Sequence, residues 1–421
     1  MDLQQQILDL GRRARKAARD LARLSTEQKN AALLAMADEI MASQTAILSA
    51  NEKDLKKTDA LPPAMIDRLK LNVERITAMA DGVRQVAALA DPVGKVLGEW
   101  ARPNGMRISK VRVPIGVIGI IYESRPNVTA DAAVLCSKAG NATILRGGSE
   151  SIHSNLAIVE ALQRGAAKGG LPPDSILLIA DTDREAIKHL AELDGYVDLI
   201  IPRGGHALIA AVVSVARMPV IKHSQGVCIV YVDKGADLDM ALEIVMNAKT
   251  QRPAVCNAIE TVLVHSEVAT PFLQKLAPRM SGKNVELRVD DRAFRQLSAL
   301  NYSRLRRATD ADWSTEFLDL VLAVGVVDST VDAIEHIERF GSHHSDCIVT
   351  RDKHTAEQFL REVDSATVYW NASTRFTDGS EFGFGAEIGI STDRLHARGP
   401  MALEELTSYK YVVRGEGQIR T

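Results

Sequence analysis

The sequence predicts an α/β protein built from two parallel-sheet domains. From residue 111 onwards, short apolar runs alternate with segments whose apolar residues recur every three or four positions, which indicates strands alternating with helices. A strand, a crossover helix and a second strand in that order give parallel strands with helices on both faces of the sheet. The alternation falls into two blocks that meet near Gly226, and 421 residues suffice to give each block its own core.

The first 91 residues precede this alternation and predict a helical lead-in. Ser25-Thr26-Glu27-Gln28 has the spacing of a capping box, which starts a helix. Asp91-Pro92-Val93-Gly94 ends the helices, and Asn104-Gly105 then predicts the turn of a β-hairpin. A hairpin that leaves the main body is a candidate subunit contact.

In the first block, turns of glycine and arginine follow two of the strands. Strands are predicted at residues 117–121, 142–145, 175–179 and 198–201, and a second capping box at Thr182-Asp183-Arg184-Glu185. Arg146-Gly147-Gly148-Ser149 and Arg203-Gly204-Gly205 lie where strands end, the edge at which parallel sheets bind phosphates. Ordinary turn chemistry explains each turn equally well. The G-x-G-x-x-G fingerprint does not occur.

The second block contains the cysteine loop. Its strands are predicted at residues 227–232, 261–265, 285–289, 347–349 and 366–369, and its helices at 238–248, 269–276, 331–340 and 356–363. Pro253 stiffens the stretch that leads to Cys256, so the thiol is held in place and is a candidate nucleophile. The alternative is a small buried side chain. Residues 371–400 are loop-rich and predict a binding or closing segment.

The composition excludes several functional classes. Lysine and arginine total 51 against 54 aspartate and glutamate, so no basic field indicates nucleic acid or an anionic membrane as a partner. Four widely spaced cysteines without a C-x-x-C pair indicate reduced thiols of a cytoplasmic protein rather than a zinc site. We expect neither a secretory signal nor a membrane span, because the sequence contains no basic and apolar leader and no apolar run of about 18 residues.

Taken together, these motifs resemble the γ-glutamyl phosphate reductase family of the aldehyde dehydrogenase superfamily. Five separated motifs in the right order carry the resemblance, which extends over the whole chain, at residues 117–127, 144–149, 200–205, 251–257 and 384–392. It implies an aldehyde dehydrogenase-like fold. The implied domains are an NADPH-binding domain (1–98 and 113–226), a catalytic domain (227–395) and an oligomerisation element (99–112 and 396–421).

The resemblance also implies the reaction and the partners. The expected activity is NADPH-dependent reduction of L-glutamyl 5-phosphate to L-glutamate 5-semialdehyde and phosphate, the second step of proline biosynthesis from glutamate. We expect a homo-oligomer, and association with glutamate 5-kinase is left open. Cys256 matches the catalytic cysteine, which forms a thioester. The Cys256 N–H and the Asn127 side chain are the implied oxyanion donors, although Asn127 is also an ordinary turn residue after Pro126.

Further residues follow from the same resemblance. Cofactor contacts, with Arg146 at the 2′-phosphate, are implied for Arg146, Gly147, Ser149, Arg203, Gly204 and Gly205. Substrate contacts are implied for Arg125, Lys222, His223, Asn371, Ser373, Thr374 and Arg375. No metal is expected: the residues from His343 to Cys347 include metal-ligating types, but Cys347 begins a predicted strand.

Two alternatives remain. One is a hydrolytic NAD(P)-dependent semialdehyde dehydrogenase, but such relatives activate water with a glutamate, and residues 220–226 contain no carboxylate. The other is a catalytically silent scaffold, which would not need a stiff thiol loop.

Overall fold

The computed structural model describes residues 2–57, 63–222, 225–300 and 302–420, which fold into two units. Unit 1 comprises residues 1–222, 383–389 and 401–421, and unit 2 comprises residues 223–382 and 390–400. The hairpin and the tail therefore belong to unit 1. Residues 383–389, which the sequence placed in the catalytic domain, also belong to unit 1. The division into three domains stays a prediction.

The elements run in chain order through the two units. Up to residue 222 they are α1 (Leu3–Leu21), α2 (Thr26–Ala42), α3 (Gln44–Leu55), α4 (Pro63–Leu69), α5 (Val73–Ala88), β1 (Val96–Ala101), β2 (Arg107–Pro114), β3 (Val117–Tyr122), α6 (Pro126–Lys138), β4 (Ala142–Arg146), α7 (Ile152–Lys168), β5 (Ile176–Leu178), α8 (Glu185–Ala191), β6 (Leu199–Arg203) and α9 (His206–Val215). From residue 223 they are β7 (Cys228–Val232), α10 (Leu238–Thr250), β8 (Ile259–His265), α11 (Ser266–Ser281), β9 (Glu286–Val289), α12 (Asp291–Leu297), β10 (Leu305–Arg307), β11 (Val321–Val327), α13 (Thr330–Phe340), β12 (Ser345–Val349), α14 (Lys353–Glu362), β13 (Thr367–Trp370), β14 (Gly389–Ser391), β15 (Gly399–Met401) and β16 (Thr407–Arg414).

One of the two predicted capping boxes forms. Ser25 Oγ accepts the N–H of Gln28 at 3.3 Å, and Gln28 Oε1 accepts the N–H of Ser25 at 2.9 Å, which starts α2 as predicted. The box at Thr182-Asp183-Arg184-Glu185 was wrong. There the carboxylate of Asp183 accepts the N–H of Glu185 at 2.9 Å, so a local Asp turn replaces the reciprocal cap.

The sheet of unit 1 is parallel, as predicted, with strand order β5-β4-β3-β6. Strands β3 and β4 are buried along their whole length because helices cover both faces, so their sequences are continuous apolar runs. All four strands end at one edge. The loops that begin with Glu123, Gly147 and Gly204 therefore lie at that edge.

The sheet of unit 2 has seven parallel strands in the order β10-β9-β11-β8-β7-β12-β13. Side chains of β7 alternate between two cores: Val230 packs in the cluster with Phe272, and Tyr231 packs in the cluster with Phe359. Val321–Val327 forms a central strand of this sheet, and no strand was predicted there. That omission was wrong, because a seven-residue apolar run is long enough for a buried strand.

The predicted hairpin forms, and the tail completes it. β1 and β2 pair antiparallel with Trp100 opposite Ile108, and Gly105 takes a φ of 91° in the turn. β16 pairs with the other edge of β2 along eight residues, with Tyr411 opposite Lys110. The result is a three-stranded sheet whose third strand comes from the far end of the chain.

No single helix of the described ranges is both long and apolar enough to cross a membrane. The pair α2 and α3, bent by 65° at their junction, has the length and composition for it only when the two are taken together.

A buried carboxyl in unit 2 makes stability depend on pH. Asp346 is fully buried and accepts from the Ile229 N–H (2.8 Å) and Ser365 Oγ (2.5 Å). Burial raises its pKa from 3.8 to about 7. The folded state therefore binds the proton more tightly, so this contribution to stability is full below pH 3.8 and is lost as the pH rises through about 7.

Asp346→Asn is expected to raise the free energy of unfolding at pH 8 by up to about 4 kcal/mol, because asparagine removes the buried charge and keeps the acceptor for Ile229. The gain should vanish towards pH 4. Urea unfolding at several pH values measures it, with Glu357→Gln on the exposed face of α14 as the control. A variant that is no more stable than the parent at pH 8 contradicts this account.

Candidate active site

Cys256 lies in the loop that joins α10 to β8. The loop follows Thr250 and ends where Ile259 begins the strand, and the N–H of Ala258 donates to the carbonyl of Val255 at 3.1 Å. Cys256 is half-buried, whereas the other three cysteines, Cys136, Cys228 and Cys347, are buried. Cys256 is therefore the cysteine whose thiol a substrate can reach.

Gly226 packs against the backbone of this loop. A Cβ atom at residue 226 would lie 2.3 Å from the carbonyl oxygen of Cys256 and 2.7 Å from its Cα atom. Both distances are shorter than any side chain tolerates, and the neighbouring atoms are backbone, which cannot swing aside. The backbone of residue 226 therefore packs directly on the backbone of the cysteine.

The thiol of Cys228 lies beneath the same loop. Its Sγ donates to the carbonyl of Cys256 at 3.2 Å and lies 3.6 Å from Nδ1 of His344. Burial raises the pKa of Cys228 well above its usual value. Burial likewise raises the pKa values of Cys136 and Cys347 to about 12, so these three thiols stay protonated.

A second loop, residues 371–377, is tied to the residue after the cysteine. Asn257 donates through Nδ2 to the carbonyl of Thr377 at 2.8 Å, and Thr374 Oγ1 donates to the carbonyl of Asn257 at 2.7 Å. Asn371, in the left-handed region with a φ of 57°, bonds through its side chain to both backbone groups of Thr350. The side chains of Asn371 and Thr374 therefore hold the loop in shape.

Arg375 is the cation that this loop brings near the thiol. Its Nε donates to Oε1 of Gln251 at 2.8 Å, and Ser373 Oγ accepts the N–H of Arg375 at 3.3 Å. Burial and the neighbouring Arg252 lower the pKa of Arg375, and Cys256 acts in the opposite direction. Two guanidinium groups thus lie in the surroundings of Cys256, and positive charge favours a thiolate.

The histidines at 343 and 344 have structural partners. Nδ1 of His344 lies 2.9 Å from Ser345 Oγ, and Nδ1 of His343 lies 3.0 Å from the carbonyl of Asp364. Among the described residues, no three His, Cys, Asp or Glu side chains are grouped as metal ligands.

In unit 1, Arg146 is buried at the carboxyl edge of the sheet. Its guanidinium donates to the carbonyls of Gly147 (2.9 Å), Thr182 (2.9 Å) and Asp183 (3.2 Å), so it joins two of the edge loops. Its Nε–H is buried and has no partner among the described residues. Burial lowers the pKa of this arginine.

Two carboxylates accept hydrogen bonds from backbone N–H groups at the same edge. Glu123 accepts the N–H of Gly205, the cap of α9, at 2.9 Å, and Glu150 accepts the N–H of Ser124 at 2.7 Å. A Cβ at Gly204 would lie 2.5 Å from Glu123 Oε2, and Gly148 is similarly close to Glu150. The glycines of these turns thus admit the protein's own carboxylates, which the sequence pattern does not reveal.

The remaining predicted residues are spread over the chain. Asn127 lies in the first turn of α6 and donates to Asp131 at 3.0 Å, and Arg125 is the cap of that helix. Ser149 begins a short 3₁₀ helix, and Arg203 ends β6. Lys222 ends the first segment of unit 1, and His223 lies outside the described residues.

Sequence reasoning missed the acidic residues around the cysteine loop. Glu260 is buried inside β8, and Glu316 lies beside Gly226, 2.7 Å from the position of a Cβ there. Burial raises the pKa of Glu316. For Glu260 a signal existed, because a glutamate inside the apolar run Ile259–Val264 needs a buried partner.

A family model, the sequences of relatives and a solved structure all match this chain. The model of the aldehyde dehydrogenase family matches residues 4–298. A γ-glutamyl phosphate reductase of Moorella thermoacetica is 55% identical over 422 residues, covering 100% of both chains, and one of Caldanaerobacter subterraneus is 53% identical, covering 97% of this chain and 98% of its own. The crystal structure of the γ-glutamyl phosphate reductase of Thermotoga maritima matches with a TM-score of 0.96 at 43% identity, covering 99% of this chain and 100% of that one.

Proposed function

The chain belongs to the γ-glutamyl phosphate reductases of the aldehyde dehydrogenase family, and on this premise we propose that it reduces L-glutamyl 5-phosphate with NADPH through a thioester on Cys256. It is an oxidoreductase of aldehyde chemistry and performs the reductase step of proline biosynthesis. The main support for the thioester is that Cys256 is half-exposed on a braced loop while the other three thiols are buried and protonated.

The proposed first step is acyl transfer to sulfur. The thiolate of Cys256 attacks the acyl carbon, a C–S bond forms, and the bond to the phosphate oxygen breaks, so that phosphate leaves with the bonding electrons. Arg252, which neighbours Arg375 beside the cysteine loop, is proposed to add positive charge where the thiolate and the leaving phosphate carry negative charge. The N–H of Cys256 is proposed to stabilise the oxyanion. The role expected for Asn127 stays a prediction, and its side chain donates to Asp131.

The cofactor is a nicotinamide dinucleotide, and NADPH is the form proposed. Arg146 has a buried Nε–H without a partner among the described residues, so an anionic group at this edge would find a cationic donor. The cofactor is proposed to bind to Arg146, Gly147, Ser149, Arg203 and Gly204. The N–H of Gly205 can donate to the cofactor only if its hydrogen bond to Glu123 breaks. When bound, NADPH supplies the hydride that converts the thioester to the aldehyde.

Arg375 is proposed to bind the α-carboxylate of the substrate, together with the loop of Asn371, Ser373 and Thr374. Arg375→Met is expected to raise KM by about 10- to 100-fold with a smaller effect on kcat, because a charge-assisted contact contributes about 1.5–3 kcal/mol. Steady-state kinetics measure this. Arg361→Met, at an exposed arginine that pairs with Glu362, is the matched control. An unchanged KM would remove Arg375 from the substrate site. Arg125, Lys222 and His223 stay predictions.

The hairpin sheet is proposed to join copies of this chain into a homo-oligomer. Tyr409, Tyr411 and Val413 lie on one face of β16, each about half-exposed, and the ring of Trp100 lies 6.2 Å from that of Tyr411. An exposed row of this kind at the edge of a sheet is typical of a contact surface. Association with glutamate 5-kinase stays a prediction.

Substitution of both Tyr411 and Val413 by glutamate is expected to lower the molar mass in solution, because charges would then be buried in the contact. Multi-angle light scattering measures the mass. Lys410→Glu, on the opposite face of the same strand, is the control. An unchanged mass in the double variant would place the contact elsewhere.

The reverse reaction tests the proposed function. We expect sustained turnover of glutamate semialdehyde with NADP⁺ only when inorganic phosphate is present, because phosphate is the group that releases the acyl chain from sulfur after each hydride transfer. Turnover without phosphate would indicate a hydrolytic dehydrogenase. A folded protein without turnover in either case would indicate a silent scaffold.

A further inference from the structure

A buried ion pair spans the cysteine loop. Lys249, in the last turn of α10, donates through Nζ to Oε2 of Glu260, in β8, at 2.5 Å. Both side chains are 0% exposed. The two residues stand seven positions before and four positions after Cys256 in the chain, so the pair joins the two ends of the loop that carries the thiol.

The second oxygen of Glu260 reaches a third segment. Its Oε1 accepts the N–H of Leu318 at 3.2 Å. Leu318 has a φ of 54°, a left-handed conformation that a leucine adopts only when its surroundings hold it there. Two residues earlier, Glu316 accepts the N–H of Gly226, on which the cysteine packs. The carboxylate of Glu260 thus connects α10 and β8 to the segment 316–318, which contacts Gly226.

Such a pair is a poor choice for stability alone. Two charges without water lose their hydration, and apolar side chains of similar volume often stabilise a fold equally well or better. Burial lowers the pKa of Lys249 and raises that of Glu260 to about 7, so burial disfavours both charged forms, and the attraction between the two groups opposes that effect. The other ionisable groups that act on the pair are Glu316, Asp319 and the thiol of Cys228.

We propose that Glu260 is a positioning residue for Cys256: together with Lys249 and the Leu318 N–H, it holds both ends of the cysteine loop at one fixed spacing. The direction of the thiol and of the Cys256 N–H follows from that spacing. This inference rests on the proposed function in that it takes Cys256 to be the nucleophile. Loss of the pair should therefore change the reactivity of the thiol even where the fold survives.

The test compares a neutralised pair with the parent enzyme. In the full-length double variant K249M/E260L, apolar side chains replace both charges. Alkylation of Cys256 by iodoacetamide is followed across pH, with peptide mass spectrometry to confirm the modified residue. We expect the pH profile of alkylation to shift and kcat to fall by about tenfold or more, with KM little changed. An unchanged pH profile together with an unchanged kcat would overturn the proposal.

The matched control is a buried ion pair in unit 1. Lys29 and Asp91 lie 2.5 Å apart with side chains 1% and 6% exposed, and K29M/D91L removes them in the same way. This control should change stability and leave the pH profile of Cys256 unaltered. If both double variants shift the profile alike, the effect is general destabilisation, and the proposal fails.

Two further variants keep the test decisive. If K249M/E260L does not fold, E260D keeps the charge but shortens the reach, and it should shift the profile in a folded protein; a parental profile in E260D contradicts the proposal. E260Q keeps the side-chain volume and one acceptor oxygen, but its NH2 group cannot accept a second hydrogen bond, so either Lys249 or the Leu318 N–H loses its partner and the profile should also shift. The alkylation assay needs no substrate. Full activity in Cys256→Ala would therefore refute the proposed function without deciding the role of Glu260.

Discussion

Cys256→Ala is expected to lower kcat/KM at least about a thousandfold while the protein stays folded, because the covalent step has no other reachable thiol. Cys256 is half-buried and its side chain fills no core cluster among the described residues, so stability should change little. Steady-state reduction and circular dichroism on the same preparation measure both effects.

The control for this variant is Cys136→Ala. Cys136 is fully buried in α6 of unit 1, so its loss should cost stability through a small cavity and leave kcat/KM close to the parental value. If Cys256→Ala retained more than about a tenth of the activity, covalent catalysis by this cysteine would be excluded.

Gly226→Ala is expected to lower kcat by about a hundredfold, the second largest effect that the structure indicates. The added methyl would lie 2.3 Å from the carbonyl oxygen of Cys256, so the cysteine loop must move to make room for it. A shift of about 1 Å is enough to misplace a nucleophile, and overpacking of this kind also costs about 1–3 kcal/mol of stability. Single-turnover kinetics and urea unfolding measure the two effects.

Gly282→Ala provides the matched control in unit 2. Gly282 has a φ of −62°, and a Cβ there would meet its nearest neighbours at 3.5 Å, an ordinary contact. Alanine should therefore be tolerated, with a stability change of less than about 1 kcal/mol and unchanged activity. Parental activity in Gly226→Ala would show that the loop adapts and that Gly226 does not set the position of the thiol.

The local order of strands and helices was predictable because each buried strand is a short apolar run. Val117–Tyr122 and Ala142–Arg146 form as the pattern indicates, and their parallel pairing follows from the helix between them. The pairing of β16 with β2 was not predictable. About 300 residues separate those strands, and no local pattern encodes a partner so far away in the chain.

A site residue was predictable only where its type has a known catalytic role and its neighbours in the sequence indicate a fixed position. Cys256 follows a stiffening Pro253, and the structure leaves its thiol half-exposed as a nucleophile requires. The supports of the loop were not found, because Gly226 gives no signal that backbone will approach it. Glu260 did give a signal, a charge inside an apolar strand, but its partner Lys249 is identified only when the helix and the strand are folded together.

The turns at the cofactor edge show the same limit. Gly204 and Gly205 indicate a close approach, and the sequence alone does not say whether a phosphate or a carboxylate approaches. In the structure, Glu123 accepts the Gly205 N–H, and Arg146 bonds to three backbone carbonyls. The residue types in these turns therefore predicted contact with an anion. They did not predict which anion accepts a hydrogen bond from each donor.

The most direct test of the account is to trap the acyl group on Cys256. The enzyme is mixed with glutamate semialdehyde and NADP⁺ without phosphate, and NADPH formation is followed together with peptide mass spectrometry. We expect a burst of about one NADPH per chain that then stops, with the glutamyl group on the peptide that contains Cys256. Continued turnover, or an acyl group on another residue, would contradict it.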